Sequence, residues 1–276
     1  MTRHSAKKSL GQNFLVDDNV VRKILHTFSP RTDELIVEIG PGQGALTEYL
    51  DEMGIETIAV ELDGDLVPQL RETFGKDSSV TIWHKDVLDV NFNEIAHNTD
   101  KPVRVLGNIP YNITSPLLFH LMDFRSSIQD VFLMMQKDVA DRIAAEPGNK
   151  SYGILSVLIQ TCAEVQYEFT VSRNVFRPRP TVASGVVSLR WHEKWSQHIP
   201  DFNLYRVVVR TAFGKRRKTL RNALDYLPFS EFDVDSLEFD TGQRAEELSI
   251  REFIKLTREI ATVYPQYQNE VVDSEL

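Results

Sequence analysis

An open, mostly parallel α/β sheet followed by a small helical domain is the fold this sequence predicts, and three observations predict it. From Glu34 to about Val171, short apolar runs alternate with longer amphipathic ones, as strands and crossover helices of a parallel sheet do. Leu35-Ile36-Val37-Glu38-Ile39 runs into Gly40-Pro41-Gly42-Gln43-Gly44 and then into a helix beginning near Ala45, the order found in nucleotide-binding units. After about Lys194 the strand pattern stops and helical spacing takes over. The 276 residues suffice for a large and a small domain, expected at 1–194 and 195–276.

Strands are expected at Leu35–Ile39, Thr57–Glu61, Val80–Trp83, Val103–Leu106, Val131–Met135, Val165–Thr170 and Val186–Arg190, with helices in most of the intervals. Between the last two strands, Val171 to Ser184 shows no helical pattern, so antiparallel pairing at one sheet edge is expected there. Arg177-Pro178-Arg179-Pro180 forms the extended connection. Beyond Lys194, helices are expected at Phe202–Ala212, Arg217–Tyr226 and Ile250–Val263. The last starts with a capping box, Ser249 to Glu252, and its stripe Phe253, Ile254, Leu256, Thr257 and Ile260 belongs to a core. There is no internal repeat, and the polar, acidic tail beyond Tyr267 is expected to fray.

The formal charge of −9 conceals strong segregation. Residues 1–16, 169–192 and 202–224 contain no acid and hold 14 of the 31 basic residues, leaving 17 against 40 acids elsewhere, a balance of −23. A basic face on an acidic body follows, and three such segments favour RNA as a partner over plain solvated surface. No charge-free apolar stretch approaches the ~20 residues of a membrane span, and Met1 to Ser9 lacks the apolar core of a secretory signal, so a soluble, cytoplasmic protein is expected. The single cysteine, Cys162, excludes an intrachain disulfide and a cysteine zinc cage, and its apolar surroundings predict burial. The seven histidines show no metal-ligand spacing, and neither a Walker loop nor a serine elbow is present, which removes hydrolase and phosphotransferase readings.

The chemistry gathers at successive strand ends. Glycines at 40, 42 and 44 let the backbone approach a ligand, with free N–H groups of the helix start facing the same crevice. Glu61 closes the second strand, where a carboxylate can accept both ribose hydroxyls of a nucleotide cofactor, and Asp86 after the third can accept from an adenine amine while Val87 packs on that ring. On these residues alone a dinucleotide remains an alternative. Asn108-Ile109-Pro110-Tyr111 follows the fourth strand. An exocyclic adenine amine is a poor nucleophile because its lone pair is delocalised into the ring. Two acceptors aimed at one nitrogen, the Asn108 side-chain oxygen and the Ile109 carbonyl, can hold it pyramidal, while Pro110 stiffens the turn and Tyr111 offers a ring for stacking. Neither a general base nor a metal is demanded by this scheme.

With these residues in hand the chain resembles the ribosomal RNA adenine dimethyltransferases, specifically their small-subunit branch. The motifs are Lys8 to Leu15, Glu38 to Gly44, Asn108 to Tyr111, Phe176-Arg177-Pro178-Arg179-Pro180 and Arg216-Arg217-Lys218-Thr219-Leu220, and the likeness covers nearly the whole length. It implies a Rossmann-like class I methyltransferase sheet with a helical carboxy-terminal domain, and S-adenosyl-L-methionine as cofactor. It also implies that Asn13, Leu15, Gly40, Glu61, Asp86 and Asn108 line the cofactor pocket and that Phe176 stacks on the target adenine opposite Tyr111. The product implied is a pair of adjacent N6-dimethylated adenines near the 3′ end of 16S rRNA, made on an immature small subunit by a monomeric, cytoplasmic enzyme of ribosome biogenesis. Arg177, Arg179, Arg216, Arg217, Lys218 and Arg221 are expected to hold RNA phosphates. A noncatalytic assembly factor, a large-subunit adenine methyltransferase and, more remotely, a dinucleotide oxidoreductase are the alternatives.

Overall fold

The computed structural model describes residues 6, 7, 10–215, 217–229 and 232–269. They form two compact units. The first takes the residues up to Ala140 together with Val165–Trp191; the second takes Asp141–Glu164 together with the residues from His192 onward. The sequence draws a single boundary near 194, whereas the chain leaves the first unit early, returns, and leaves again.

The first unit begins with a short strand β1 (Phe14–Leu15) and helix α1 (Asp18–Phe28). Asp17 caps α1 by accepting from the Asn19 and Val20 N–H groups, and Val21, Ile24, Leu25 and Phe28 supply its buried face at helical spacing. Then come β2 (Leu35–Ile39), α2 (Thr47–Glu52), β3 (Glu56–Glu61), α3 (Val67–Thr73), β4 (Val80–His84), α4 (Phe92–His97), β5 (Val103–Asn108), α5 (Thr114–Asp123) and β6 (Asp130–Gln136). Helices α6 (Lys137–Ile143) and α7 (Ile154–Cys162) lead to β7 (Ala163–Val171), the two-residue β8 (Phe176–Arg177) and β9 (Ser184–Trp191).

Seven strands make one sheet in the order β4-β3-β2-β5-β6-β9-β7. From β4 to β6 all neighbours run parallel, and β9 enters antiparallel to β6. β9 is also bonded to the edge strand β7. Ser188 reaches Glu168, while His192 N–H donates to the Cys162 carbonyl, so numbering rises in one strand as it falls in the other. The expected antiparallel edge is therefore present. All five residues of β2 are buried, as suits a strand covered on both faces.

A second, two-stranded sheet pairs β1 with β8 antiparallel, Leu15 opposite Phe176 and Phe14 opposite Arg177. The sequence placed an arm and an extended connection there without foreseeing that they pair.

In the second unit α8 (Phe202–Gly214) packs against α7, α9 (Leu220–Leu224) and α10 (Ile250–Val263). Phe213 stacks on Phe253 at 5.7 Å between ring centres, and the Tyr152 hydroxyl donates to the Leu248 carbonyl at 2.9 Å. The Ser249–Glu252 capping box opens α10, and Cys162 is buried. The helix expected over 217–226 is much shorter. Its first N–H groups, on Leu220 and Arg221, donate to the carbonyls of Gln243 and Thr241, so the helix starts there and Arg217 and Lys218 sit in a turn.

Candidate active site

β2 and β5 lie side by side, yet the chain departs from them towards opposite edges of the sheet, so a crevice opens beyond their carboxyl ends. Their backbones approach closely there. Gly107 is in register with Ile39, and a Cβ at 107 would lie 2.8 Å from the Ile39 carbonyl oxygen. Beyond this point lies a cleft walled by Gly11 to Leu15, Glu38, Gly40, Gly42, Glu61, Asp86, Val87, Asn108 to Tyr111, Phe176 and Ser184. All six expected cofactor residues and both expected aromatic residues therefore meet in one place.

Gly40 and Gly42 adopt φ of 66° and 60°, the left-handed region that side chains resist. A Cβ on Gly42 would come 3.0 Å from the Phe14 ring, so the loop fits beneath the arm only without one. Glu61 is buried at the end of β3. Its Oε2 accepts the Gly42 N–H at 3.1 Å and its Oε1 the Asp63 N–H at 2.8 Å, so it shapes the glycine loop as well as facing the cleft. Burial pushes its carboxyl above the usual range, against the pull of these bonds. Asp86 accepts the Leu88 N–H through Oδ1 at 3.0 Å.

Asn13 enters the site through its backbone. Its side chain donates to the Gly11 carbonyl at 3.0 Å, while its own carbonyl accepts Nδ2 of Asn108 at 3.1 Å. That bond assigns the two ends of the Asn108 amide: nitrogen to the arm, oxygen left for the cleft. The Ile109 N–H donates to the Met134 carbonyl at 2.8 Å, anchoring the turn to β6. Tyr111 is half-buried, and burial raises its hydroxyl above the usual range, partly offset by the Ser184 hydroxyl.

Phe176 departs from expectation. Its ring lines the cleft wall yet is only 1% exposed, packed in an apolar cluster with Leu15, Val21, Ile24, Met134 and Val186. Burial of so large an apolar surface outweighs presentation to a ligand, so in this state Phe176 anchors its loop and Tyr111 is the accessible ring.

Among the expected RNA-binding residues, Arg177 and Arg179 are exposed near the cleft's Phe176. Arg177 braces its loop by donating to the Phe176 carbonyl at 2.9 Å. Arg217 and Lys218 are exposed in the turn before α9; Arg221, also exposed, forms a two-pronged ion pair with Asp235. Arg216 lies outside the described residues.

Sequence reasoning gave no role to Glu38 or Gln12, although both stand in its motifs, nor to Asp63 or Ser184. Glu38 left a signal, an acid inside an apolar strand. It is 1% exposed, lines the cleft, and accepts the Thr47 hydroxyl through Oε2 at 2.7 Å. Burial pushes its carboxyl up to about 7; the Thr47 bond pulls the other way and the Glu61 charge adds to the rise.

Residues 3–262 match the family model described as ribosomal RNA adenine dimethylase. The chain is similar to a ribosomal RNA small subunit methyltransferase A of Cupriavidus necator, 41% identical with 93% of each chain covered. It is likewise similar to the protein of that name from Xanthomonas euvesicatoria, 44% identical with 91% of this chain and 95% of the relative covered. Among solved structures, a dimethyladenosine transferase from Plasmodium falciparum superposes with a TM-score of 0.76 at 23% identity, over 90% of this chain and 98% of that one. At that identity the superposition establishes the fold.

Proposed function

Because the chain belongs to the ribosomal RNA adenine dimethylase family, we propose that the cleft carries out methyl transfer to the N6 amines of two adjacent adenines near the 3′ end of 16S rRNA. The protein is an S-adenosylmethionine-dependent rRNA adenine dimethyltransferase of the small-subunit kind. Its sheet is the Rossmann-like one of such methyltransferases, with a helical carboxy-terminal region. The dinucleotide alternative falls with the family assignment.

The cleft residues fit the cofactor. Gly40 and Gly42 leave room for close backbone approach, Glu61 offers a carboxylate for ribose hydroxyls, and Asp86 and Val87 suit an adenine amine and ring. Leu15 and the Asn13 backbone close the pocket from the arm side. S-adenosylmethionine, when bound, supplies a methyl group made electrophilic by its sulfonium. On the other side Asn108 Oδ1 and the Ile109 carbonyl each accept one N–H of the unmethylated amine in the first transfer, and one of them accepts the remaining N–H in the second, which turns the lone pair out of the ring plane. With the cofactor bound, the N–C bond would form as the S–C bond breaks to leave a neutral thioether, and these acceptors would guide the amine proton out to water. Tyr111 stacks on the extruded base.

The orientation of the Asn108 amide carries this reading, since it leaves an acceptor rather than a donor for the amine. Arg177, Arg179, Arg217 and Lys218 hold phosphates, with Arg221 joining if RNA displaces Asp235. The substrate is an immature small subunit and the enzyme works as a cytoplasmic monomer; no helix among the described residues is long and apolar enough to cross a membrane. The test is to map dimethylated adenines in small-subunit RNA from cells lacking this protein, complemented with the unmodified chain or with Asn108→Ala. Restoration by the former and not the latter is expected. Restoration by both sinks the mechanism, and by neither the substrate.

A further inference from the structure

Resting on the methyltransferase reading of the cleft, we propose that Gln12 and Asp63 are positioning residues: they latch the amino-terminal arm so that the Asn13 carbonyl holds the Asn108 amide oxygen towards the reacting amine. Asp63 follows β3 two residues after Glu61 and is 2% exposed. Its Oδ2 accepts Gln12 Nε2 at 2.7 Å, and its Oδ1 accepts Lys7 Nζ at 2.5 Å and the Asp65 N–H at 3.0 Å. Gln12 is held at its other end too, where Oε1 accepts the Lys7 N–H at 2.8 Å. The arm is thus fixed to a buried carboxylate one peptide unit before the carbonyl that meets Asn108.

The chemical need for such a fixture lies in the symmetry of the amide. Its two ends are nearly equal in size, and only hydrogen bonds distinguish them. Rotated half a turn, Asn108 would aim an N–H pair at the N–H bonds of the adenine amine, and the acceptor would be lost. The Asn13 carbonyl prevents that rotation, and it stays in place only while the arm is seated. The arm is held by β1–β8 pairing, by Phe14 over Gly42, and by Gln12 and Asp63. The same segment closes the cofactor pocket, so seating the arm and arming the acceptor are one event.

The variant to make is Gln12→Ala, on a half-buried side chain outside the main core, with folding checked by thermal melting. Single-turnover methylation of immature small-subunit particles is measured with saturating cofactor, S-adenosylhomocysteine affinity by calorimetry, and the Asn108 side-chain amide by NMR, assigned from its loss in Asn108→Ala. The rate at saturation is expected to fall roughly 10-fold or more, as misplacement of a reacting group does. The Asn108 amide signals should move or broaden, and in an Asn108→Ala background the Gln12 substitution should cost no further rate. A full rate at saturating cofactor, unmoved Asn108 signals or multiplying losses in the double variant would each overturn the proposal. Failure of the unmodified chain to methylate the particles would instead sink the substrate assignment, and the NMR comparison would still judge the latch.

Discussion

Glu38 puts a titrating carboxyl under the glycine loop, and the sign of its effect is opposite for the empty and the loaded protein. Its folded value of about 7 lies above the ordinary 4.5, so its protonated form stabilises the fold fully below that ordinary value and the contribution fades as pH rises through about 7. A cationic cofactor favours the ionised form. S-adenosylmethionine affinity is therefore expected to rise as pH climbs towards about 7 and to level off above it, while the empty protein loses stability between about pH 4.5 and about pH 7. Glu38→Gln, which keeps an acceptor for Thr47, should flatten both trends; calorimetry and melting at a series of pH values check this, and an unaltered pH dependence would refute it. Glu61→Ala should weaken cofactor binding by about 1.5 to 3 kcal/mol through loss of a charge-assisted acceptor. Because Gly42 also donates to Glu61, the variant should loosen the glycine loop, visible as faster amide exchange there; equal affinity in the variant would remove Glu61 from the pocket. Strand-end logic made Gly40, Glu61, Asp86 and Asn108 legible from sequence. It was blind to the part played by the Asn13 carbonyl and to the burial of Phe176, since residue type in a loop does not say which way a ring or a carbonyl faces.

At the level of elements, the seven strands of the main sheet were legible, most as compact apolar runs between turn residues and β7 as the alternating Val165, Tyr167 and Phe169 of an edge strand. The ladder of β1 and β8 was not, being two residues long on either side and too short for any period to register. The helix before Tyr226 was overdrawn because donors at its start, on Leu220 and Arg221, are satisfied by Gln243 and Thr241 far along the chain, a tertiary fact no local pattern contains. The resulting turn has its own consequence for RNA. Arg217→Ala with Lys218→Ala should lower RNA affinity and reduce its salt slope by roughly 0.7 to 0.9 for each lost phosphate contact, leaving cofactor affinity alone. Filter binding across salt concentrations reads this directly, and an unchanged slope would exclude the turn from the interface. Gly107→Ala tests the close approach of β2 and β5. With the Ile39 carbonyl only 2.8 Å from the added carbon, the strands must shift, at a cost of about 1 to 3 kcal/mol in chemical denaturation. A neutral result would show that the crevice floor yields freely.

For the whole molecule, the broad division into sheet and helices was readable from the change of period near Lys194, but the assignment of 141–164 to the second unit was not. Ile154 to Cys162 looks like any crossover helix between two strands, and only its partners α8 and α10 reveal its allegiance. Charge misleads at this scale if summed: −9 overall describes neither the acid-free segments nor the rest. The slot occupied by β9, between β6 and the edge strand β7, sets a constraint on biosynthesis. A chain emerging residue by residue completes β7 before β9 exists, so during that interval β6 presents an open edge and β7 has no neighbour to join. Nascent chains stalled just before Ser184 should therefore remain protease-sensitive over Val165 to Val171, and chains long enough to release Trp191 should gain protection there in a single step. Protection before β9 emerges would mean that the edge strand finds another partner first.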